Sequence, residues 1–180
     1  IAPDQSLFIA DTGNGLVSRM VNNVITKSWG AKDFGITDQW LPFALTFDAQ
    51  QRLWVTTLSG IQRFRYDPQN QTLMADTLLW NGSQSATGVI KYASAIATDK
   101  KGFIYITDFY NHRVLVLQED SASKNLTVLD SISTLSATAT LSQPFGIVVD
   151  DRNIDAPTIY VSEQSPQQIV KLRFENNKLS

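Results

Sequence analysis

Three equally spaced aspartates are among the residues of this 180-residue sequence whose side chains could do chemistry. Asp48, Asp99 and Asp150 stand 51 residues apart, each at the end of a short apolar run. If a repeated fold brings them around one opening, their carboxylates supply the oxygen ligands that calcium prefers. An aspartate before a polar turn also accepts hydrogen bonds from that turn, a role that needs no ion. We expect the local role and predict no metal or cofactor, with calcium at these aspartates as the alternative.

A catalytic set is not evident elsewhere in the sequence. His112, within Asn111-His112-Arg113, is the one histidine, and there is no cysteine. Zinc sites need three or four ligands, and a hydrolase triad needs a histidine beside a nucleophile such as the serine of Gly-x-Ser-x-Gly, a motif that is absent. Asp11, Asp108 and Glu163 end a second set of apolar runs and have the same turn-binding explanation as the first aspartates. The residues therefore predict no catalytic site.

The spacing of these residues reflects an internal repeat of about 50 residues. Segments 42–48, 93–99 and 144–150 align, and each is followed by a polar turn and a second apolar run. The second run carries a ring in the same slot of four copies, namely Phe8, Trp54, Tyr105 and Tyr160. Third runs follow at 16–21, 61–66, 113–117 and 169–174, and fourth runs at 24–29, 72–80 and 126–132. Such short runs separated by tight turns predict four antiparallel strands per repeat.

Four antiparallel strands per repeat of this length indicate the blades of a β-propeller. We predict an all-β fold with one domain over 1–180 and blades at roughly 1–29, 42–80, 93–132 and 144–180. The repeated rings suit the space between neighbouring sheets, where burying each stabilises the fold by about 2 kcal/mol. Segment 1–4 has the pattern of the end of an innermost strand, and the last copy shows only three strands. The first and last blades are therefore expected to be incomplete.

One copy of the repeat resembles a known family. Ile104-Tyr-Ile-Thr-Asp-Phe-Tyr-Asn-His-Arg113, preceded by Ala93-Ser-Ala-Ile-Ala-Thr-Asp99, is similar to the NHL repeat, whose name comes from an Asn-His-Leu-like turn. The copies at 9–15 and 144–163 match more loosely, and the second copy departs most, with Thr57 in the aspartate slot. The resemblance implies a propeller, usually of six blades, in which the Asn-His-Arg turn is structural. The family's peptide-amidating lyases use several histidines, and its RNA-binding members use a basic face; this sequence matches neither.

Ligand binding on a propeller is expected on the face where the connections between blades cluster, because the rigid sheets position those loops. The connections span 30–41, 82–92 and 133–143, and the turns at 12–15, 109–112 and 164–167 lie on the same face. The candidate binding residues are the aromatic side chains Trp40, Tyr92, Phe109 and Tyr110. Their rings could equally close the end of the core, and both interpretations remain open.

Composition limits the classes of partner and the cellular location that we expect for this protein. Fifteen Lys and Arg against 17 Asp and Glu give a net charge of −2, which disfavours nucleic acid and anionic membranes as partners. The apolar runs are too short for a membrane-spanning helix. Low charge with abundant Ser, Thr, Asn and Gln favours a secreted, extracellular protein. Three Asn-x-Ser/Thr motifs at Asn70, Asn81 and Asn125 then become glycosylation candidates in turns or loops.

These observations favour a non-enzymatic extracellular structural or interaction module. Incomplete blades expose strand edges and apolar faces, so we expect self-association, head-to-tail, as a ring or a filament. The partners are then copies of the chain or the remainder of a longer propeller. One alternative is a calcium-dependent lactonase or lyase-like propeller enzyme, and another is a domain that recognises a peptide or a glycan.

Overall fold

Four antiparallel sheets follow one another along the chain in the computed structural model, which describes residues 1–37, 40–58, 60–83 and 85–180. Each sheet pairs its strands in sequence order, so the chain meanders outward within every blade. Blade 1 holds β1 (Leu7–Asp11), β2 (Leu16–Val21) and β3 (Val24–Gly30), and blade 2 holds β4 (Leu45–Phe47), β5 (Arg52–Thr57), β6 (Gly60–Asp67) and β7 (Thr72–Trp80). Blade 3 holds β8 (Ala93–Thr98), β9 (Ile104–Asp108), β10 (Arg113–Glu119) and β11 (Leu126–Ile132). The predicted four-bladed β-propeller is confirmed.

The remaining elements lie in the last third of the chain and in the turns. A hairpin of β12 (Thr134–Ser136) and β13 (Ala139–Thr140) occupies the third connection, where the sequence indicated only a loop. Blade 4 holds β14 (Pro144–Asp150), β15 (Thr158–Glu163), β16 (Gln168–Glu175) and β17 (Lys178–Leu179). The short β17 pairs with β16, so this blade has a fourth strand that the sequence did not predict. Short 3-10 turns lie at Thr12–Asn14, Ala31–Phe34 and Phe109–Asn111.

Blade 1 has three strands, and the turn that precedes them repeats the turn after the innermost strands of blades 2 and 3. In those blades the N–H groups of Asp48 and Asp99 donate to the carbonyls four residues later, at 3.0 and 3.1 Å. The N–H of Ala2 donates to the carbonyl of Ser6 in the same way, at 2.9 Å. Ala2 therefore occupies the aspartate position in blade 1, which explains why no carboxylate marks this copy in the sequence.

Three apolar cores fill the spaces between successive blades, and alternate residues of one strand serve two of them. Leu53 and Val55 of β5 pack in the core between blades 1 and 2, whereas Trp54 packs in the core between blades 2 and 3. In β9, Ile104 packs toward blade 2 and Tyr105 toward blade 4. This period of two is why short alternating runs in the sequence become sheets that are covered on both faces.

The repeated rings lie between blades wherever the structure describes a following blade. Phe8, Trp54 and Tyr105 are buried in the three cores, the last two completely. Tyr160 is half-buried, because its neighbours in β15 face blade 3 and its own ring therefore points to the opposite side of blade 4.

Charged contacts join the outer parts of neighbouring blades. Glu119, at the end of β10, accepts hydrogen bonds from Arg52 and Arg63 of blade 2, both at 2.6 Å. The two guanidinium groups also lie over the Trp54 ring, 5.6 and 5.5 Å from its centre. Arg63 is buried, and burial alone would lower its pKa, but the hydrogen bonds that it donates to the Asp76 and Glu119 carboxylates outweigh this effect and raise its pKa. This cluster fixes the register between blades 2 and 3.

A second polar cluster joins blades 1 and 2. The Asp4 carboxylate accepts hydrogen bonds from Arg19 at 2.9 Å and from the Tyr66 hydroxyl at 2.7 Å. Burial alone would raise the pKa of Asp4, but hydrogen bonds from Ser6, Tyr66 and Arg19 outweigh it and hold that pKa well below its ordinary value. Asp4 is therefore ionised in the folded protein at neutral pH.

The described part of the chain contains no helix that is long and apolar enough to cross a membrane.

Candidate functional site

Five rings form one cluster on the face of the propeller where the second strands end and the innermost strands begin. Each stands beside the start of an innermost strand or in a turn after a second strand. We call this group the aromatic patch, and its members are Phe43, Tyr92, Phe109, Tyr110 and Phe145.

The rings of the aromatic patch pack mainly edge to face around Tyr92. The Tyr92 ring centre lies 4.6 Å from that of Phe43, 5.6 Å from that of Phe109 and 5.7 Å from that of Tyr110. Phe109 links this group to Phe145 at 6.1 Å. The patch therefore connects the starts of the innermost strands of blades 2, 3 and 4.

The patch has a buried base and an exposed surface. Phe109 is 7% exposed, whereas Tyr110 is 62% exposed and Phe145 is 41% exposed. Large rings that remain exposed on a rigid support are suited to binding a partner, because they give much contact area with little loss of side-chain freedom. The rings pack against one another, so their positions are set before any partner arrives.

Tyr92 holds an unusual backbone conformation at the centre of the patch. Its φ angle is +156°, in a region that residues with a side chain rarely adopt, and its carbonyl accepts a hydrogen bond from Phe109 N–H at 2.9 Å. Burial and the neighbouring Tyr110 raise the pKa of its hydroxyl, so the phenol stays neutral and able to donate. Strained backbone of this kind concentrates at functional sites.

A buried carboxylate supports the turn that carries two of the rings. Asp108 is completely buried and accepts hydrogen bonds from Lys91 N–H at 2.9 Å, Asn111 Nδ2 at 2.7 Å and Arg113 Nε at 2.8 Å. The Arg113 side chain also donates to the carbonyl of Thr87. Asp108 and Arg113 thus tie the connection before blade 3 to the turn of Phe109–Asn111, and the patch rests on this anchor.

His112 closes the same turn in a left-handed conformation, with φ of +53°. Its Nδ1 accepts a hydrogen bond from Gln143 N–H at 3.1 Å, which joins the turn to the connection that enters blade 4. On the adjacent strands, Ser94 and Thr107 hydroxyls donate to the Phe145 carbonyl at 2.9 and 3.1 Å. Both contacts fix the position of blade 4, and with it the Phe145 ring, relative to blade 3.

The four candidate binding aromatics of the sequence separate into two groups. Tyr92, Phe109 and Tyr110 come together in the patch. Trp40 lies in the core between blades 1 and 2, against Phe34 and Phe64 at ring distances of 5.8 and 5.7 Å, and is 7% exposed.

Phe43 and Phe145 belong to the patch but were not among the residues singled out from the sequence. They share one column of the repeat, directly before the small residues Ala44 and Gly146, and blade 3 has Ser94 in that column. The repetition of an aromatic residue at the start of the innermost strand was the sequence signal that could have identified Phe43 and Phe145.

The equally spaced aspartates lie in the turns after the innermost strands and bind their own blades. Asp48 accepts hydrogen bonds from Trp54 Nε1 at 2.8 Å and Arg52 Nε at 2.7 Å. Asp99 accepts hydrogen bonds from the Tyr105 hydroxyl at 2.8 Å and the Phe103 N–H at 2.9 Å. In blades 2 and 3 the aspartate is therefore hydrogen-bonded both to the aromatic side chain of the second strand and to its own turn.

Asp150 makes a more exposed version of this contact. It accepts hydrogen bonds from Arg152 Nε, and those bonds lower its pKa to about 2. Across the described residues, no group of three or more His, Cys, Asp or Glu side chains could hold a metal ion.

The other strand-ending acids also bind their own turns or loops. Asp11 accepts hydrogen bonds from Asn14 Nδ2 at 3.0 and 2.8 Å. Glu163 is buried and accepts from Gln168 Nε2 at 2.6 Å and from the Ser142 N–H.

The three candidate glycosylation sites lie outside the patch. Asn70 and Asn125 are exposed in the hairpins between third and fourth strands, and Asn81 is half-buried at the end of blade 2. Asn81 and Asn125 line the same cavity of about 510 Å³ between the outer strands of blades 2 and 3.

Comparisons with known proteins agree with this architecture. Residues 91–117 match the family model of the NHL repeat. No curated protein sequence matches the chain. Among solved structures, the chain resembles virginiamycin B lyase from Staphylococcus aureus, with 18% identity over 97% of this chain and 53% of that one and a TM-score of 0.56.

Two further solved structures show the same fold. Hydrazine synthase of Kuenenia stuttgartiensis aligns at 13% identity over 99% of this chain and 46% of that one, with a TM-score of 0.65. The periplasmic gluconolactonase of Pseudomonas aeruginosa aligns at 17% identity over 94% of this chain and 50% of that one, with a TM-score of 0.53. The chain thus spans about half the length of these proteins. It is a four-bladed β-propeller whose third blade carries an NHL repeat.

Proposed function

We propose that this chain is a non-enzymatic interaction module whose aromatic patch binds a peptide segment of a partner protein. The observation that carries the proposal is the exposure of Tyr110 and Phe145 on a cluster whose base is fixed by Asp108 and Arg113. Aromatic side chains in fixed positions are the residues that most often dominate the affinity of protein interfaces.

A peptide fits the patch better than a glycan does. Sugar recognition requires free polar side chains beside the ring platform, whereas the polar groups nearest the patch are already engaged. Asn111 donates to Asp108 and to the Val89 carbonyl, and Ser94 donates to the carbonyl of Phe145. What remains available is mainly ring surface, together with the hydroxyls of Tyr92 and Tyr110, and this combination favours apolar side chains and the backbone of a peptide.

Selection of peptides from a random twelve-residue phage library on the immobilised chain tests this proposal. We expect selected peptides to lose at least tenfold in affinity on Tyr110→Ala or Phe145→Ala, a loss typical of a ring that contributes strongly to binding. Tyr110→Phe should retain most of the affinity. Leu79→Ala is the matched control, since Leu79 is exposed on an outer strand away from the patch.

Two results would overturn the peptide proposal. One is a set of peptides whose affinity is unchanged by both patch substitutions. The other is an array of neutral glycans that binds the chain at the patch when no peptide does.

A calcium-dependent lactonase or a lyase-like enzyme is the second candidate, because the similar structures include a lyase and a gluconolactonase. Likeness below 25% identity supports a shared fold and leaves the chemistry open. The proposal of a non-enzymatic module predicts an unchanged melting temperature on addition of calcium and no hydrolysis of gluconolactone. A rise in melting temperature that disappears in Asp99→Asn would favour the enzyme.

We also propose that the protein is extracellular and carries glycans at Asn70, Asn81 or Asn125. Low charge and the three exposed or half-exposed sequons support this assignment. Treatment of the native protein with a peptide N-glycosidase should lower its mass, and an unchanged mass would contradict the assignment.

A further inference from the structure

The cavity of about 510 Å³ between blades 2 and 3 has the size of a site for a small ligand. Its described lining comes from the end of β7, the connection that follows it and the start of β11 with the residue before that strand. It lies between two neighbouring blades, and none of the described residues that line it belongs to the aromatic patch. We call it the outer cavity.

One wall of the outer cavity is apolar and continues the core between blades 2 and 3. Leu126 is buried in that core, and the half-buried Trp80 and Val128 pack against it. All three residues line the cavity. An aromatic side chain supported by the core thus stands at the surface, where its ring can support a ligand.

The other wall carries polar groups that the fold does not use. The Oδ1 atom of Asn81 accepts a hydrogen bond from Ser83 N–H at 2.9 Å. The Trp80 indole N–H, the Asn81 Nδ2, the Ser83 hydroxyl and the Asn125 side-chain amide have no hydrogen-bond partner among the described residues. The outer cavity therefore offers both donors and acceptors to a ligand.

The lining selects a neutral ligand. None of the described residues that line the outer cavity carries a charge, so a phosphate or carboxylate ligand would find no cation there. A wholly apolar ligand would leave the amides without partners. A neutral pyranose suits both walls, because its C–H face is apolar and its hydroxyls both donate and accept hydrogen bonds.

The connection that forms part of the wall is held in place without a ligand. Ser85 Oγ donates to the Gly82 carbonyl at 2.9 Å, and Ile90 N–H donates to the Asn81 carbonyl at 2.9 Å. Gly82 has a φ angle of +81°, and a Cβ atom there would lie 2.6 Å from the Gly88 carbonyl oxygen, so only glycine fits. A wall that is already ordered reduces the entropy lost on binding.

We infer that the outer cavity binds a neutral pyranose unit, with the Trp80 ring against its C–H face and the Asn81 and Asn125 amides on its polar substituents. Two sources supply this chemistry. One is a separate oligosaccharide, and the other is the glycan proposed on Asn81 or Asn125, whose Asn-x-Ser/Thr motifs lie at the cavity. The inference goes beyond the proposed peptide site, and only its second source rests on the proposed glycosylation.

A nuclear magnetic resonance titration of the chain, produced without glycosylation, tests the inference. The probes are chitotriose, cellotriose and maltotriose, and we expect at least one of them to shift the Trp80 indole N–H signal while the ring signals of Tyr110 stay unchanged. Trp80→Ala should weaken binding at least tenfold, and Trp80→Phe, which keeps a ring against the core, should weaken it less. Asn125→Ala should weaken binding by about three- to tenfold through the lost hydrogen bonds.

Two further variants control for nonspecific effects. Asn70→Ala is the matched control for Asn125→Ala, because Asn70 is exposed in the corresponding hairpin of blade 2 and bonds to Asp67 instead of lining the cavity. Its binding should be unchanged. Ser83→Trp fills the cavity from an exposed position and should abolish binding, while circular dichroism shows that each variant remains folded.

The same titration on the chain from a glycosylating secretory host distinguishes the two sources. If the attached glycan occupies the outer cavity, the Trp80 indole N–H signal starts at its bound position and added trisaccharide does not bind until a peptide N-glycosidase has removed the glycan. If the sugar comes from a separate oligosaccharide, both forms of the chain bind the trisaccharide equally. Either result supports a sugar in the outer cavity.

Three results would overturn the inference: no binding of any of the three trisaccharides at millimolar concentration, binding that survives both Trp80→Ala and Ser83→Trp, or binding that shifts Tyr110 instead of Trp80. Phage-selected peptides that lose affinity on Trp80→Ala would also contradict it, because they would show a peptide in the outer cavity. Peptides that depend on Tyr110 alone support the proposed function whatever the sugar titration shows, so the two proposals fail separately.

Discussion

Tyr105→Phe removes one oxygen atom from the centre of the fold and should destabilise it measurably. The Tyr105 side chain is completely buried, and its hydroxyl donates to Asp99 Oδ2 at 2.8 Å. Burial and the adjacent Asp99 raise the pKa of this hydroxyl, so it remains a donor. Without it, a carboxylate that is 4% exposed keeps the Phe103 N–H on its other oxygen and loses a partner for this one.

The expected loss follows from the charge and burial of the acceptor. Hydrogen bonds to charged groups contribute about 1.5–3 kcal/mol, and the ring itself is retained, so we expect the free energy of unfolding to fall by about 2 kcal/mol. With a urea dependence of about 2 kcal/mol/M, the unfolding midpoint should move by about 1 M. Equilibrium urea unfolding followed by circular dichroism measures this shift.

Tyr160→Phe is the matched control, because it removes the same atom from the same slot of the repeat. Tyr160 is half-buried on the side of blade 4 that faces away from blade 3, and its substitution should change the free energy of unfolding by less than about 0.5 kcal/mol. Equal losses in the two variants, or a loss below about 0.5 kcal/mol for Tyr105→Phe, would refute the role assigned to the bond between ring and aspartate.

Two further perturbations test the contacts between blades. Glu119→Gln should lower the free energy of unfolding by about 1.5–3 kcal/mol, because Arg52 and Arg63 lose a shared carboxylate; Glu175→Gln, which alters an exposed pair with Arg173, should cost less than about 0.5 kcal/mol in the same urea assay. Asp4 has a pKa below its ordinary value in the folded state, so its contribution is complete above the unfolded pKa and is lost as pH falls through the folded pKa. Thermal unfolding from pH 6 to pH 2 should therefore show a weaker pH dependence in Asp4→Asn than in the wild type, and identical profiles would contradict this role.

The fold was predictable because the repeat places equivalent residues at nearly constant spacing. A ring in each second strand and alternating apolar residues define a sheet with two covered faces, and the structure buries Trp54 and Tyr105 accordingly. The state of Tyr160 depends on whether another blade follows, which a local pattern does not encode. The same reasoning applies to β17, whose two residues are too few to show a period.

The candidate site was only partly predictable, because its contacts cross blades. Phe109 and Tyr110 are adjacent in sequence to the NHL turn, but Phe43 and Phe145 reach the patch from other blades. Similarly, Tyr66 meets Asp4 across 62 positions of sequence. Contacts of this kind depend on how the sheets pack around their axis, which sequence periodicity does not specify.

The most direct test of the account is a nuclear magnetic resonance titration of the chain with a peptide selected on its surface. The account predicts that the ring signals of Tyr92, Tyr110 and Phe145 shift on binding, whereas the turns of Asp48 and Asp99 remain unchanged. Shifts confined to those turns, with the aromatic patch unaffected, would contradict it.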